Sequence, residues 1–200
     1  MRKAMSIVFV ALAIFSFSAL VMPVYATPPT EISGQWASYK GIPSGGTPVT
    51  AEVRKAGANV FFTLHNYATY SGDISGAPGC IDQIIQITFH YGDAELVKSL
   101  PTGTTGNAAS IVAALNTWPE TDWNWKVDRK FTGTVLGVAG DFNMNLEATG
   151  YGRLGNPVVL EGHWVIISGS GGLLNLHGQG TWHNLGVQLN AYEGQVHFDP

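Results

Sequence analysis

Apolar and polar residues alternate along most of this 200-residue chain, with a period of two rather than 3.6. Between Ile81 and His90, residues Ile81, Gln83, Ile85, Ile87 and Phe89 share one side, leaving Asp82, Ile84, Gln86, Thr88 and His90 on the other. Phe142, Met144, Leu146 and Ala148 are set against Asn143, Asn145, Glu147 and Thr149 in the same way, and Phe62, Leu64 and Asn66 against Phe61, Thr63 and His65. Each pattern predicts a strand; in the first two the first-named set is turned to a core, and in the third the two faces are left unassigned. Further runs at Ile32–Tyr39, Val49–Val53, Phe131–Leu136, Val158–Ile167, Leu173–Trp182 and Val187–Phe198 complete about eight strands at short spacing. Glycine-rich punctuation separates them, most densely at Ser168–Gly172, where positive φ carries no Cβ penalty. The pattern predicts an all-β domain, a meandering barrel or a sandwich.

Two stretches depart from the alternation. The segment 98–130 reads as an insertion: a Gly/Thr loop, a short helix over Ala108–Leu115 capped by Asn107, then Trp118, Trp123 and Trp125 within eight residues. Its tryptophans either seal one end of the domain or stack on a ligand. The N-terminus is the other exception. Met1-Arg2-Lys3 is basic, Ile7–Val24 is almost wholly apolar, and Val24-Tyr25-Ala26 places small residues where a signal peptidase needs them. Residues 1–26 are expected to be a signal peptide, with an uncleaved anchor as the alternative reading of a span that long.

Removing that segment leaves 27–200, one domain of 174 residues, and takes the formal charge from −4 to −6. A chain of that size buries about 70% of its unfolded surface, enough for a single core. With no basic patch, nucleic acid is not an expected partner, and a membrane enters only through an uncleaved signal sequence. The expected location is secreted or envelope-associated, outside the cytoplasm. Cys80 is the only cysteine, so the core must hold without an internal disulfide, and the thiol reads as a small buried hydrophobe.

Candidate chemistry is sparse. Six histidines are present, but none form a His-x-His or His-x-x-x-His pair, so neither metal nor cofactor is expected. Glu147 and His163 are weak catalytic candidates. A carboxylate and an imidazole on neighbouring strands, if buried, could shuttle a proton, although an outer-surface cross-strand pair is the more ordinary reading. No nucleophile elbow, Walker loop or dinucleotide fingerprint occurs.

The glycine turns carry a resemblance. Phe131-Thr-Gly-Thr-Val-Leu-Gly137, Gly140-Asp-Phe142, the corner Gly169-Ser-Gly-Gly172-Leu-x-x-Leu-x-Gly178-x-Gly180 and the early turn Gly72-Asp73-Ile-Ser-Gly76 resemble the allene-oxide-cyclase-like and dirigent-like superfamily. The likeness is greatest to an uncharacterised bacterial family of unknown function within it. The resemblance implies a single eight-stranded antiparallel β-barrel enclosing an apolar cavity, to which the sequence adds one short helix in the insertion. It carries no active-site residue onto this chain, and activity taken from fold alone is analogy. Three functions follow as expectations. The first is a secreted barrel binding a small, mainly apolar ligand, with Phe142, Met144, Trp164 and Ile166 as wall and Trp118, Trp123 and Trp125 as lid. The second is a cyclase or isomerase using the same cavity with Glu147 or His163. The third is a non-catalytic envelope protein presenting its tryptophans to a partner; an oligomer is compatible with all three.

Overall fold

The computed structural model describes residues 27–39, 50–99, 103–105, 115–153, 156–186 and 188–199. The expected signal peptide, and the helix expected over 108–115 apart from Leu115, lie outside them.

Among the described residues eleven strands follow one another: β1 Thr30–Tyr39, β2 Thr50–Ala56, β3 Asn59–Gly72, β4 Ile74–Ser75, β5 Ile81–His90, β6 Gly103–Thr105, β7 Thr121–Val135, β8 Val138–Arg153, β9 Asn156–Gly171, β10 Leu176–Gly186 and β11 Leu189–Phe198. Among the described residues a helix, α1 Ala94–Ser99, lies between β5 and β6. All pairings are antiparallel. Eight strands form a ring in the order β1-β11-β10-β9-β8-β7-β5-β3, which the β1–β3 pairing closes. β2 extends the first half of β3, β6 borders β2, and β4 turns off to pair with the end of β7.

Closure sets two sides, and the alternation read from sequence assigns residues to them. Ile81, Gln83, Ile85, Ile87 and Phe89 are buried inside, as are Phe142, Met144, Leu146 and Ala148 and, from β9, Trp164 and Ile166. Their neighbours in sequence face outward; Val165 and Ile167 are exposed although apolar. Phe142 and Trp164 therefore share the interior side.

The seam between β1 and β3 is tight. Gly34 lies opposite Gly72, and a Cβ on Gly34 would come 2.2 Å from the Ser71 carbonyl oxygen and 2.5 Å from the Tyr192 hydroxyl. Only glycine lets the two backbones and the phenol meet there. The following turn fastens the seam: the Ser33 N–H donates to the Asp73 carboxylate at 2.7 Å, and the Asp73 N–H donates back to the Ser33 carbonyl at 3.1 Å. The Asp73 carbonyl accepts from the Leu136 N–H at 2.8 Å, and Tyr192 Oη accepts from the Ile74 N–H at 2.8 Å. That Gly72–Gly76 turn thus joins β1, the β7–β8 hairpin and β11 at one end, where Ile74, Val135 and Leu173 are fully buried.

Several elements differ from the sequence reading, β4 and β6 among them, which stand where a turn and a Gly/Thr loop are expected. β7 begins at Thr121, so the last third of the expected insertion is ring wall, because Trp123, Trp125 and Val127 already alternate with Asp122, Asn124 and Lys126. Leu173–Asn175 is a turn rather than the start of a strand. Short-range bonds from the Leu173, Leu174 and Leu176 N–H groups to Ser170, Gly171 and Leu173 tighten it, and Leu173 plugs the ring end. The helix α1 is capped by Asp93, whose carboxylate accepts from the N–H groups of Glu95 (2.9 Å) and Leu96 (3.0 Å), and it buries Val97.

Gly34→Ala is expected to lower unfolding free energy by about 1–3 kcal/mol, the ordinary range for forcing atoms into filled space. Urea unfolding checks it, and an unchanged midpoint would contradict the seam.

Candidate functional site

The interior holds a row of polar side chains at one level of the ring. Asn66 on β3 pairs with Gln83 on β5, Gln83 with Arg129 on β7, and Arg129 with Met144 on β8. All four point inward because each sits in phase with the apolar residues two positions away. Arg129 is only 2% exposed. Its Nε donates to Gln83 Oε1 at 2.9 Å, and Gln83 Nε2 donates to Asn66 Oδ1 at 2.8 Å. Its Nη1 donates to the Tyr70 hydroxyl at 2.5 Å, and that hydroxyl donates onward to the Met144 sulfur at 3.4 Å. The guanidinium carbon lies 4.3 Å from the centre of the Trp36 ring and 5.3 Å from that of Tyr70, a cation–π arrangement.

Around this row stands a group of tryptophans. Trp36, Trp125 and Trp182 form a triangle with ring centres 6.5, 5.4 and 5.2 Å apart, and Trp123 joins Trp125 at 6.3 Å. The indole nitrogens of these four, together with Arg129 Nη2, are buried and have no hydrogen-bond partner. All five atoms are donors, and ring or cation–π contacts link all five residues. Trp164 shows the ordinary solution on the same chain. Its ring lies against Gly180 and Gly194, and its indole N–H donates to the carbonyls of Thr181 (3.1 Å) and Glu193 (3.2 Å).

Among the described residues no carboxylate pairs with Arg129. A buried positive charge held only by neutral groups is disfavoured by several kcal/mol relative to water, and each orphaned donor adds about 1–3 kcal/mol. Burial raises the Tyr70 hydroxyl above its ordinary value, outweighing the opposing pull of the Arg129 guanidinium. The phenol therefore stays protonated and remains a donor. Burial likewise pushes the Tyr91 hydroxyl up to about 12, and raises Tyr192 and the Cys80 thiol. No group of three or more His, Cys, Asp or Glu side chains among the described residues is arranged to hold a metal ion.

The residues singled out from sequence divide between two places. Phe142, Met144, Trp164 and Ile166 are interior, and Met144 touches the Tyr70 hydroxyl. Trp123 and Trp125 are interior wall residues of β7, not lid residues. Only Trp118 stays on a loop, where it meets the Tyr91 ring edge-on at 5.0 Å and its carbonyl accepts from Arg153 Nε. Glu147 and His163 are cross-strand neighbours on the outer face. They line an open groove of about 640 Å³ with Lys126, Thr149, Glu161 and His183. Glu147 pairs with Lys126 at 3.4 Å, both side chains about 70% exposed. This is the outer-surface reading of that pair; the interior holds neither residue. Arg129, Tyr70, Trp36 and Trp182 were not singled out. Continuing the phase of Trp123, Trp125 and Val127 would have turned Arg129 inward with Phe131, but Asp128 and Lys130 on either side make the stretch look like a solvated charge run.

Arg129→Met is expected to leave the unfolding free energy from urea titration unchanged or raised by about 1 kcal/mol, since buried ionic groups are often replaced by apolar side chains of similar volume without loss. A fall of several kcal/mol would mark the arginine as a structural keystone. The raised tyrosines give a second expectation. Their neutral forms are favoured by the fold, so that stability is full below the ordinary tyrosine range near pH ~10 and is lost as pH rises through the higher folded values. Unfolding free energy measured from pH 8 to 11.5 should be flat and then fall above ~10; a flat profile throughout would contradict the burial of these hydroxyls.

No family model matches this sequence, and neither does any curated protein. Among solved structures, a protein of unknown function of the DUF3224 family from Shewanella oneidensis MR-1 is similar over 86% of this chain and 100% of its own, with 14% identity and a TM-score of 0.46. Nothing about the function of this chain follows from a likeness at that level.

Proposed function

We propose that this chain is an extracytoplasmic, non-catalytic binding protein. Its ring is a β-barrel of the allene-oxide-cyclase-like kind, and it holds a small, mainly apolar ligand inside, against the tryptophan triangle. The observation that carries this reading is the pooling of orphaned donors. Four indole N–H groups and one guanidinium arm lie in one connected interior group, while Trp164 on a neighbouring strand is fully satisfied. Native interiors leave few such groups, and a cluster of them marks a place arranged for something other than stability. Eight strands give an interior wide enough for side chains or for one small ligand. Trp125 is the one partly exposed member of the triangle.

The glycine corners support the barrel assignment, and the basic, apolar and small-residue order of residues 1–26 supports export. The cyclase-type alternative draws nothing from Glu147 and His163, which face outward. The partner-presenting alternative draws nothing from Trp123 and Trp125, which face inward.

The test is purification of the full chain, with its own leader, from its native host, followed by denaturation and mass spectrometry of the released small molecules. One defined organic compound, recovered in proportion to protein, is expected. Release of solvent ions alone would overturn the reading.

A further inference from the structure

We infer that the ligand of this interior is a monocarboxylate with an apolar body, its head group received by Arg129 Nη2 and the Tyr70 hydroxyl; this rests on the interior-binding reading above.

The head group follows from the balance of donors and acceptors. Every orphaned atom in the cluster is a donor. The row's amide acceptors are already engaged, Gln83 Oε1 by Arg129 Nε and Asn66 Oδ1 by Gln83 Nε2. An occupant with N–H or O–H groups to place would meet more donors; one rich in acceptors completes the set. The Tyr70 proton ends on the Met144 thioether, a weak acceptor that a carboxylate oxygen readily replaces.

Charge narrows the choice. One guanidinium without a carboxylate partner among the described residues matches one negative charge. A phosphate monoester would bring close to two and leave the excess buried. A cation would face the guanidinium already lying over Trp36.

Geometry completes it. Nε and Nη1 are fixed by Gln83 and Tyr70, and the guanidinium plane is held against Trp36, so the remaining arm is oriented before any ligand arrives. One charge-assisted bond from that arm and a second bond from the Tyr70 hydroxyl beside it suit a planar two-oxygen acceptor. The Trp36, Trp125 and Trp182 rings supply the apolar surface for the body.

The experiment follows intrinsic tryptophan emission of the full-length mature protein during titration with octanoate, octanol, octylamine and acetate. Octanoate is expected to saturate and to bind on the order of 10- to 100-fold more tightly than octanol, the range for a hydrogen bond to a charged group. Octylamine should be weakest, and acetate, which has the head group without the body, should not saturate. Arg129→Gln should bring octanoate down to the octanol value. Tyr70→Phe, which keeps the ring, should weaken octanoate several-fold and leave octanol unchanged; it decides the matter if Arg129→Gln does not fold. Equal binding of octanoate and octanol would overturn the head-group assignment and leave interior binding standing. Acetate binding as tightly as octanoate would overturn the apolar body. Failure of every probe to bind would overturn both.

Discussion

The closing of β1 onto β3 is the constraint on which everything else in this molecule rests. Eight alternating strands define an inside only once the first and third are joined, and that junction passes through two glycines packed backbone to backbone. Asp73 locks it with a reciprocal pair of bonds to Ser33, and the buried Tyr192 hydroxyl reaches over from β11 to hold the same turn. Without that seam the inward set would lie on the open face of a curved sheet. Arg129 would then be solvated and the tryptophans would form a surface patch.

Closure also creates the tension that gives the interior its meaning. The aromatic side chains fill the space with apolar surface, worth roughly 25 cal/mol per Å² removed from water. Their polar atoms oppose this wherever no acceptor is in reach. Trp164 resolves the conflict locally because Gly180 and Gly194 let its ring settle onto backbone carbonyls. Trp36, Trp123, Trp125 and Trp182 do not, and neither does the last arm of Arg129. A fold selected for stability alone removes such conflicts by substitution. Their concentration around a single oriented guanidinium is the feature on which the proposed interior binding site rests.

Much of the fold was legible in the sequence because half-buried antiparallel strands write their two faces into alternate positions. β5, β8 and the Trp164–Ile167 part of β9 followed that rule, and Phe142 and Trp164 came out on the same side. The elements that were not legible are those in which tertiary contacts act over few residues. α1 is six residues long, too short to show a helical period, and β4 has only two. Leu173–Asn175 looked like strand because it is apolar, yet its role is to plug an end. The site was harder still. Gln83 was read as inward, but Arg129 stood between Asp128 and Lys130, where composition argues for solvent and only phase argues for the interior. Glu147 and His163 drew attention by residue type, and phase placed them outside.

The central claim, that the interior donors are arranged for an acceptor-bearing ligand, is tested most directly at the indole nitrogens themselves. In a ¹⁵N–¹H correlation spectrum each tryptophan gives its own side-chain N–H signal, six in all. Addition of octanoate is predicted to move the signals of Trp36, Trp125 and Trp182 and to leave that of Trp164 where it was. Six unmoved signals, or movement confined to Trp118 outside the triangle, would contradict the account.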